Sequence, residues 1–325
     1  MKSPAYLTIS AISAISAALS GCLAQAGGED SADLEQGVAT TYVDILEFQH
    51  TDQFQWYDLI HSLNDQFRAT CGDTFCEGEY ANLVPLTFAC SVSSKAGNVR
   101  DCVWTFAAAQ VEIDPRNAAI LVDAPVYKCH IAMKTTAVKL TKLLSTATDK
   151  LHAALPGAPA NANTLSAQLG ECFDHPLGSV PPDLSTTGSL AYVSARDYYT
   201  SAAGQDRWRA ATRALVAGFD NVCGDTFCGS DFGDLQAMDF SCAVTKSTGN
   251  VKTCMWTFGG SYHVTPAHGG LLDVTAKTFA CPVDVDGSLA KLLDTLTAPG
   301  SVDAIRRTLP GMTTSAYDAL LGCLP

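Results

Sequence analysis

Basic residues are scarce in this chain. Lysine and arginine together number 20 against 33 acidic residues, which gives a formal net charge of -13. This balance argues against nucleic acid as a partner and against direct attraction to anionic lipid, because both interactions need clustered positive charge. Beyond residue 22, no apolar run approaches the length of a membrane-spanning helix. We therefore expect no nucleic-acid partner and no transmembrane helix after the N-terminal segment.

The sequence also lacks the common catalytic motifs. It contains no G-x-S-x-G elbow, no H-E-x-x-H, no P-loop and no G-x-G-x-x-G at the start of a helix. Each of these motifs places specific groups around a nucleophile, a zinc ion or a phosphate, so their absence removes the usual support for an enzyme. The sequence therefore favours a protein that is not an enzyme.

The N-terminal segment has the pattern of an export signal. Lys2 precedes a weakly polar run from Ala5 to Leu19, and Leu19-Ser20-Gly21-Cys22 follows. The run has about the length of a secretory h-region and is short for a transmembrane helix. The arrangement resembles the lipobox of bacterial lipoproteins, in which a branched apolar residue and two small residues precede an invariant cysteine. The resemblance implies removal of residues 1–21 and lipidation of Cys22.

Lipidation would place the protein in the cell envelope, anchored to a membrane by its acyl chains. Two or three chains anchor a protein stably, whereas one binds only marginally. Leu23 is not aspartate, which under the enterobacterial sorting pattern implies the outer membrane. Residues 22–38 are small and acidic and are expected to form a flexible tether. The alternative is an ordinary signal peptide that contains a chance cysteine.

The 13 cysteines show that the chain is duplicated. An odd count in an exported protein requires an explanation, and lipidation of Cys22 supplies one. The remainder form two sets of six with nearly identical spacing, and the surrounding motifs recur. The motifs are C-G-D-T-F-C at 71–76 and 223–228, G-N-V at 97–99 and 249–251, and W-T-F at 104–106 and 256–258. This predicts two modules, 39–173 and 189–325, joined by a proline-rich linker over 174–188.

Six cysteines per module in an exported protein are expected to form three disulfides. Zinc is the alternative, but the spacings lack paired C-x-x-C knuckles and no histidine recurs at equivalent positions. Six cysteines allow 15 pairings, among which we favour local pairs and one that ties the C-terminal helix to the sheet. The favoured pairs are Cys71–Cys76, Cys90–Cys102, Cys129–Cys172, Cys223–Cys228, Cys242–Cys254 and Cys281–Cys323.

Hydrophobic periodicity predicts the same elements in both modules. Apolar residues such as Trp56, Leu63 and Phe67 recur at helical spacing before C-G-D-T-F-C. The elements predicted after this helix are strands over 86–92, 102–113 and 120–131 and helices over 137–155 and 164–172. The expected fold class is α+β, with two tandem disulfide-stabilised modules. Each is a helix packed on a three-stranded antiparallel sheet, followed by C-terminal helices.

Oxygen-bearing residues recur in the loop that follows the first helix of each module. They are Asp73, Glu79 and Asn82, which align with Asp225, Asp231 and Asp234. Calcium prefers several hard oxygen ligands from a short loop, so this cluster could hold one ion per module. The spacing is not that of an EF-hand. The alternative is that Asp73 and Asp225 brace the turn by accepting backbone N–H bonds.

The residues that both modules share otherwise point to a scaffold. Cys102, Trp104 and Phe106 lie at period two, so they share one strand face and are expected in the core. No histidine is shared between the modules: His130 aligns with Pro282 and His263 with Val111. No site is visibly duplicated.

We therefore expect a lipid-anchored envelope protein that binds an envelope or extracellular protein or glycan without catalysis. The alternatives are an envelope hydrolase with a site in one module and a structural spacer. The C-G-D-x-F-C and C-x-W-x-F repeats are similar to those of uncharacterised exported bacterial proteins. That resemblance implies family membership without an activity.

Overall fold

A computed structural model of the protein describes residues 40–74, 82–229 and 232–325. We call residues 40–173 the first half and 189–325 the second half. The strands of the first half are β1 (Tyr42–Asp44), β2 (Val84–Ser93), β3 (Val99–Ala107), β4 (Gln110–Ile113), β5 (Ile120–Asp123) and β6 (Val126–His130). Its helices are α1 (Gln53–Thr74), α2 (Ala137–Thr146) and α3 (Leu165–Phe173).

The second half repeats this order with fewer, longer strands. Its strands are β7 (Tyr192–Ser194), β8 (Gln236–Thr245), β9 (Val251–Val264) and β10 (Asp273–Val283). Its helices are α4 (Ala195–Tyr198), α5 (Ala202–Val222), α6 (Leu289–Thr297) and α7 (Ala316–Leu321), with a π-helical turn at Cys223–Phe227 and a 3-10 turn at Ala304–Arg306. The fold is α+β with antiparallel sheets, as the sequence predicted.

Each half builds its core between the long helix and one sheet face. In the first half, Phe67 of α1 packs on Phe106 of β3 with ring centroids 4.8 Å apart. In the second half, Phe219 of α5 packs on Phe258 of β9 at the same distance, 4.8 Å. The predicted face of Cys102, Trp104 and Phe106 is fully buried in the first core. The apolar face that helical spacing predicts and the apolar face that strand alternation predicts therefore pack against each other at this contact.

The predicted three-stranded sheet is wrong, because each half has a four-stranded sheet. The strand orders are β1-β2-β3-β6 and β10-β9-β8-β7, so the short strands β1 and β7 each add an edge. The predicted third strand over 120–131 is two strands, β5 and β6. They are separated at Ala124-Pro125, where proline cannot donate a ladder hydrogen bond.

The predicted helix over 137–155 is also too long, since α2 ends at Thr146. The side chain of Gln66 in α1 binds the chain just beyond this end. Its amide nitrogen donates to the Thr148 carbonyl at 2.7 Å, and its oxygen accepts from the Lys150 N–H at 2.8 Å. These bonds satisfy backbone groups that a continued helix would otherwise have paired.

Disulfides fasten the elements within each half. The structure contains Cys90–Cys102, Cys129–Cys172, Cys223–Cys228, Cys242–Cys254 and Cys281–Cys323. These are pairs that the sequence favoured. Cys71 is also disulfide-bonded, while its predicted partner Cys76 lies outside the described residues. Two of these bridges, Cys129–Cys172 and Cys281–Cys323, tie a C-terminal helix to its sheet.

The two sheets pack back to back through small residues. Val103 on β3 and Val274 on β10 belong to one buried cluster, and the hydroxyls of Thr105 and Ser261 lie 2.8 Å apart. Residues 40–325 therefore form four layers, helix, sheet, sheet and helix, and Thr40–Pro325 is one compact unit. Within the described part of the chain, no helix combines the length and apolarity needed to cross a bilayer.

The proline-rich linker is fixed to the first half by two buried carboxylates. Asp123 accepts the Ser179 hydroxyl at 2.9 Å and the Val180 N–H at 2.8 Å. Asp114 accepts the Arg116 N–H at 2.9 Å and the Ser185 N–H at 2.8 Å, and these two bonds lower the pKa of Asp114. The linker therefore runs along the hairpin formed by β4 and β5.

Candidate functional site

Each half extends a hairpin over the first strand of the other half. The Tyr42 N–H of β1 donates to the Ala267 carbonyl at the β9–β10 turn at 2.9 Å. The Tyr192 N–H of β7 donates to the Pro115 carbonyl at the β4–β5 turn, also at 2.9 Å. The two contacts are reciprocal and connect equivalent positions of the two halves.

The hairpins differ in how well they cover the opposite sheet. β9 and β10 are continuous, whereas the first-half hairpin is interrupted at residues 108–109 and 124–125. As a result, Leu86 and Ala89 of β2 are buried, while Met238 and Ser241 at the equivalent positions of β8 are partly exposed. The interruption leaves a wider opening on the second half, since the equivalent place of the first half holds a smaller cavity of about 380 Å³ beside Asp44 and His263.

A cleft occupies this opening and continues around the edge of β8. One cavity of about 620 Å³ lies between β4 and the strands β7 and β8. A second cavity of about 750 Å³ lies between α5 and β8. Both are lined by Arg196, Asp197, Trp208 and Asp239, so we treat them together as the cleft. Its volume is in the range of small-molecule sites.

Asp239 stands where the two cavities meet. The pairing of β8 with β9 shifts register between Ala237 and Phe240, and this bulge places Asp239 at the opening. Its carboxylate accepts the Ser241 hydroxyl at 2.5 Å. Burial raises the pKa of Asp239, and the opposing effects of Ser241 and Arg196 do not cancel the rise.

The second cavity carries both signs of charge. Arg209 is paired with Asp206 at 2.5 Å, but among the described residues Arg196 and Arg213 belong to no ion pair. Burial also raises the pKa of Asp220, only partly offset by the charge of Arg68. Cationic and acidic side chains thus line one cavity without forming ion pairs with each other.

Aromatic rings form the wall opposite these charges. Trp208 of α5 stacks on Phe240 with ring centroids 5.9 Å apart. Trp256 also lines the cavity, and its buried Nε1 has no hydrogen-bond partner within the described part of the chain. The cleft therefore offers a mainly apolar wall beside separated charges, whereas the Trp256 Nε1 is buried in the core like its counterpart in Trp104.

The residues of the cleft differ between the two halves, so the duplicated motifs carry no signal for it. Asp239 and Ser241 align with Thr87 and Ala89, and Arg196 stands where the first half has Leu46 after the equivalent strand. The informative signal in the sequence is a polar or charged residue in one half at a position where the other half has an apolar or uncharged residue. Only the structure shows that these changes face one opening.

The proposed calcium residues do not converge on the cleft. Asn82 accepts the Ala109 N–H at 2.8 Å, and Asp234 accepts the Ser261 N–H and hydroxyl at 2.6 Å each. These two side chains are engaged by hydrogen-bond donors at equivalent places. Asp225 is exposed in the π-helical turn.

The other proposed calcium ligands add no cluster. Asp73 lies at the end of α1, and Glu79 and Asp231 lie outside the described residues, as does the proposed lipidation site Cys22. In the ranges that the structure describes, no group of three histidine, cysteine or acidic side chains is placed to hold a metal ion.

A histidine–carboxylate pair joins the halves away from the cleft. Asp101 of β3 lies 3.0 Å from the His130 Nδ1 and accepts the Leu272 N–H of the second half at 3.0 Å. Burial raises the pKa of Asp101, but these hydrogen bonds outweigh it and hold the pKa low. The bond to Asp101 in turn raises the pKa of His130.

What the cleft can bind follows from its own residues. It combines a half-buried carboxyl group, guanidinium groups without ion pairs and apolar side chains, the usual lining of a site for a polar ligand with an apolar part. In the comparisons with known proteins, no family model, curated protein or solved structure matches this chain.

Proposed function

We propose that the protein is a lipid-anchored binding protein of the cell envelope, and that the cleft of the second half is its ligand site. The observation that carries the proposal is the wider opening of the second half. The two halves cover each other reciprocally, yet β8 is left more exposed than its counterpart β2, and at this opening Asp239 replaces Thr87. A scaffold alone has no need of a half-buried carboxyl group with a raised pKa at such an opening.

The anchor is proposed from the N-terminal motif and from the cysteine count. Every cysteine in the described ranges is disulfide-bonded. Of the cysteines outside them, Cys76 has its counterpart Cys228 in a bridge to Cys223, which leaves Cys22 for lipidation. Leu23 supports an outer-membrane location.

The two halves are proposed to be tandem modules, 39–173 and 189–325, that descend from one duplicated domain. The recurring motifs, the equivalent disulfides and the reciprocal hairpin contacts support this. On this view the first module kept a closed sheet, while the second module kept the scaffold and gained a ligand site.

Filling the cleft tests the proposed site. Ala217 is exposed on α5 and lines the second cavity, so Ala217→Trp should occupy it. Ala203→Trp changes an exposed alanine of the same helix outside the cleft and serves as the control. Each mature protein is incubated with envelope extract and analysed by native mass spectrometry. We expect a bound ligand on the wild type and the control, and none on Ala217→Trp; equal capture by all three would refute the site.

An envelope hydrolase is the second candidate, because Asp239 has the raised pKa that a general acid needs. Binding is favoured over it because the described residues place no histidine within hydrogen-bonding distance of Ser241 or Asp239. The same experiment separates the two functions. A hydrolase would release a cleaved product, whereas a binding protein returns its ligand intact.

A further inference from the structure

The charged groups of the second cavity are held apart from one another. In the described part of the chain, Arg196, Arg213, Asp197 and Asp239 form no ion pair. Exposed ion pairs contribute little to stability, because ordering two long side chains offsets their attraction. Side chains of both signs that line one cavity and remain unpaired are therefore available to a ligand with both charges.

On the acidic side of the cavity, the Asp239 carboxylate has few hydrogen-bond donors. The Asp239 carboxylate has one side-chain donor, Ser241, and burial raises the pKa values of both Asp239 and Asp220. A cation placed beside a desolvated carboxyl group favours its ionised form and is held by it. An ammonium group fits this side, because it supplies both the charge and several donors.

The basic side suits a carboxylate. A guanidinium group presents a planar fork of donors that matches a carboxylate in a two-point contact. Arg196 and Arg213 both line the second cavity and are free of ion pairs among the described residues. Neither is engaged by Asp206, which pairs with Arg209.

The space between these groups is apolar and large. Trp208, Phe240 and Trp256 line the second cavity, whose volume is about 750 Å³. The volume lies in the upper part of the range for small-molecule sites, which is more than a single amino acid fills.

We infer that the cleft binds a short peptide with free termini and an apolar side chain. Its ammonium group contacts Asp239, its carboxylate contacts Arg213, and its side chain packs on Val216 and Met238, the partly exposed apolar residues of the lining. This inference rests on the proposed function, since it names the ligand class of the same cleft.

Dipeptides with matched blocked forms test the inference. The mature protein is titrated calorimetrically with Ala-Phe, Ala-Leu and Ala-Met, each as the free form, the N-acetyl form and the C-terminal amide. We expect at least one free dipeptide to bind, and its affinity to fall about 10-fold or more when either end is blocked, as a lost charge-assisted bond implies.

Variants assign each end of the peptide to its residue. Asp239→Asn should weaken the free dipeptide but not the N-acetyl form further, and Arg213→Gln should weaken the free dipeptide but not the amide further. Arg207→Gln is the control, because Arg207 lies on the same helix and pairs with Asp294 outside the cleft. Equal affinity for free and blocked forms would overturn the inference.

The experiment distinguishes this inference from the proposed function. If no dipeptide binds while Ala217→Trp still abolishes capture from envelope extract, the ligand class is wrong and the cleft remains the site. If no dipeptide binds and Ala217→Trp captures as much as the wild type, both proposals fail.

Discussion

The contact between the two sheets makes Gly259→Ala a direct test of the fold. Gly259 lies in β9 with its missing side chain facing β3, and a Cβ atom there would overlap the Cβ of Ala107. Ala107 is fully buried, so it cannot move towards solvent. The substitution forces the two sheets to separate or to slide.

The magnitude follows from two opposing effects. Replacing a strand glycine by alanine restricts the unfolded chain and alone would stabilise the protein by about 0.5–1 kcal/mol. Overpacking a well-filled interface costs about 1–3 kcal/mol. The expected net result is a free energy of unfolding lowered by about 1–2 kcal/mol.

Gly170→Ala is the matched control. Gly170 is exposed in α3, and a Cβ atom there meets nothing within 4 Å. The same chemical change should therefore raise the free energy of unfolding by about 0.5–1 kcal/mol. Urea unfolding under non-reducing conditions, followed by tryptophan fluorescence, measures both. If Gly259→Ala is as stable as the wild type while Gly170→Ala is stabilised, the sheets do not pack as described.

Two further predictions concern the halves and the anchor. Because the pKa of His130 is raised, its bond to Asp101 stabilises the fold fully below about pH 6.5 and is lost as the pH rises through the raised pKa. His130→Asn should therefore reduce the change of the urea midpoint between pH 6 and 8. The control is His152→Asn, which replaces an exposed histidine. If His130→Asn leaves the dependence of the urea midpoint on pH unchanged, this prediction is wrong. Cys22→Ser should leave the membrane fraction while keeping its disulfides, as seen by fractionation and non-reducing mass spectrometry. Retention after a high-salt wash would mean that Cys22 is not the anchor.

The elements that the sequence predicted well are those with strong local periodicity. α1 and α5 formed where Trp56, Phe67 and Phe219 recur at helical spacing, and β2 and β3 formed around the Gly97 turn. Their burial depends on near neighbours, which a sequence pattern records. The short strand β1 was missed because three residues carry too little periodicity, and its pairing partner lies far along the chain.

The cleft could not be predicted for a related reason. It depends on a long hairpin in one half and an interrupted hairpin in the other, and on where each lies against the opposite sheet. Pro125 interrupts the strand that was predicted as continuous over 120–131, and no local pattern shows which cavity this break opens. Asp239 has no local pattern, because a bulge rather than strand alternation sets its direction.

The reciprocal contact between Tyr42 and Ala267 has a kinetic consequence. Contacts between distant parts of a chain are slow to form, because a large loop must close before they contribute stability. The rear surface of the first sheet is covered mainly by β9 and β10, near the C-terminus. An emerging chain would thus expose this apolar surface until its last third is synthesised, which lengthens the time in which the first half can aggregate.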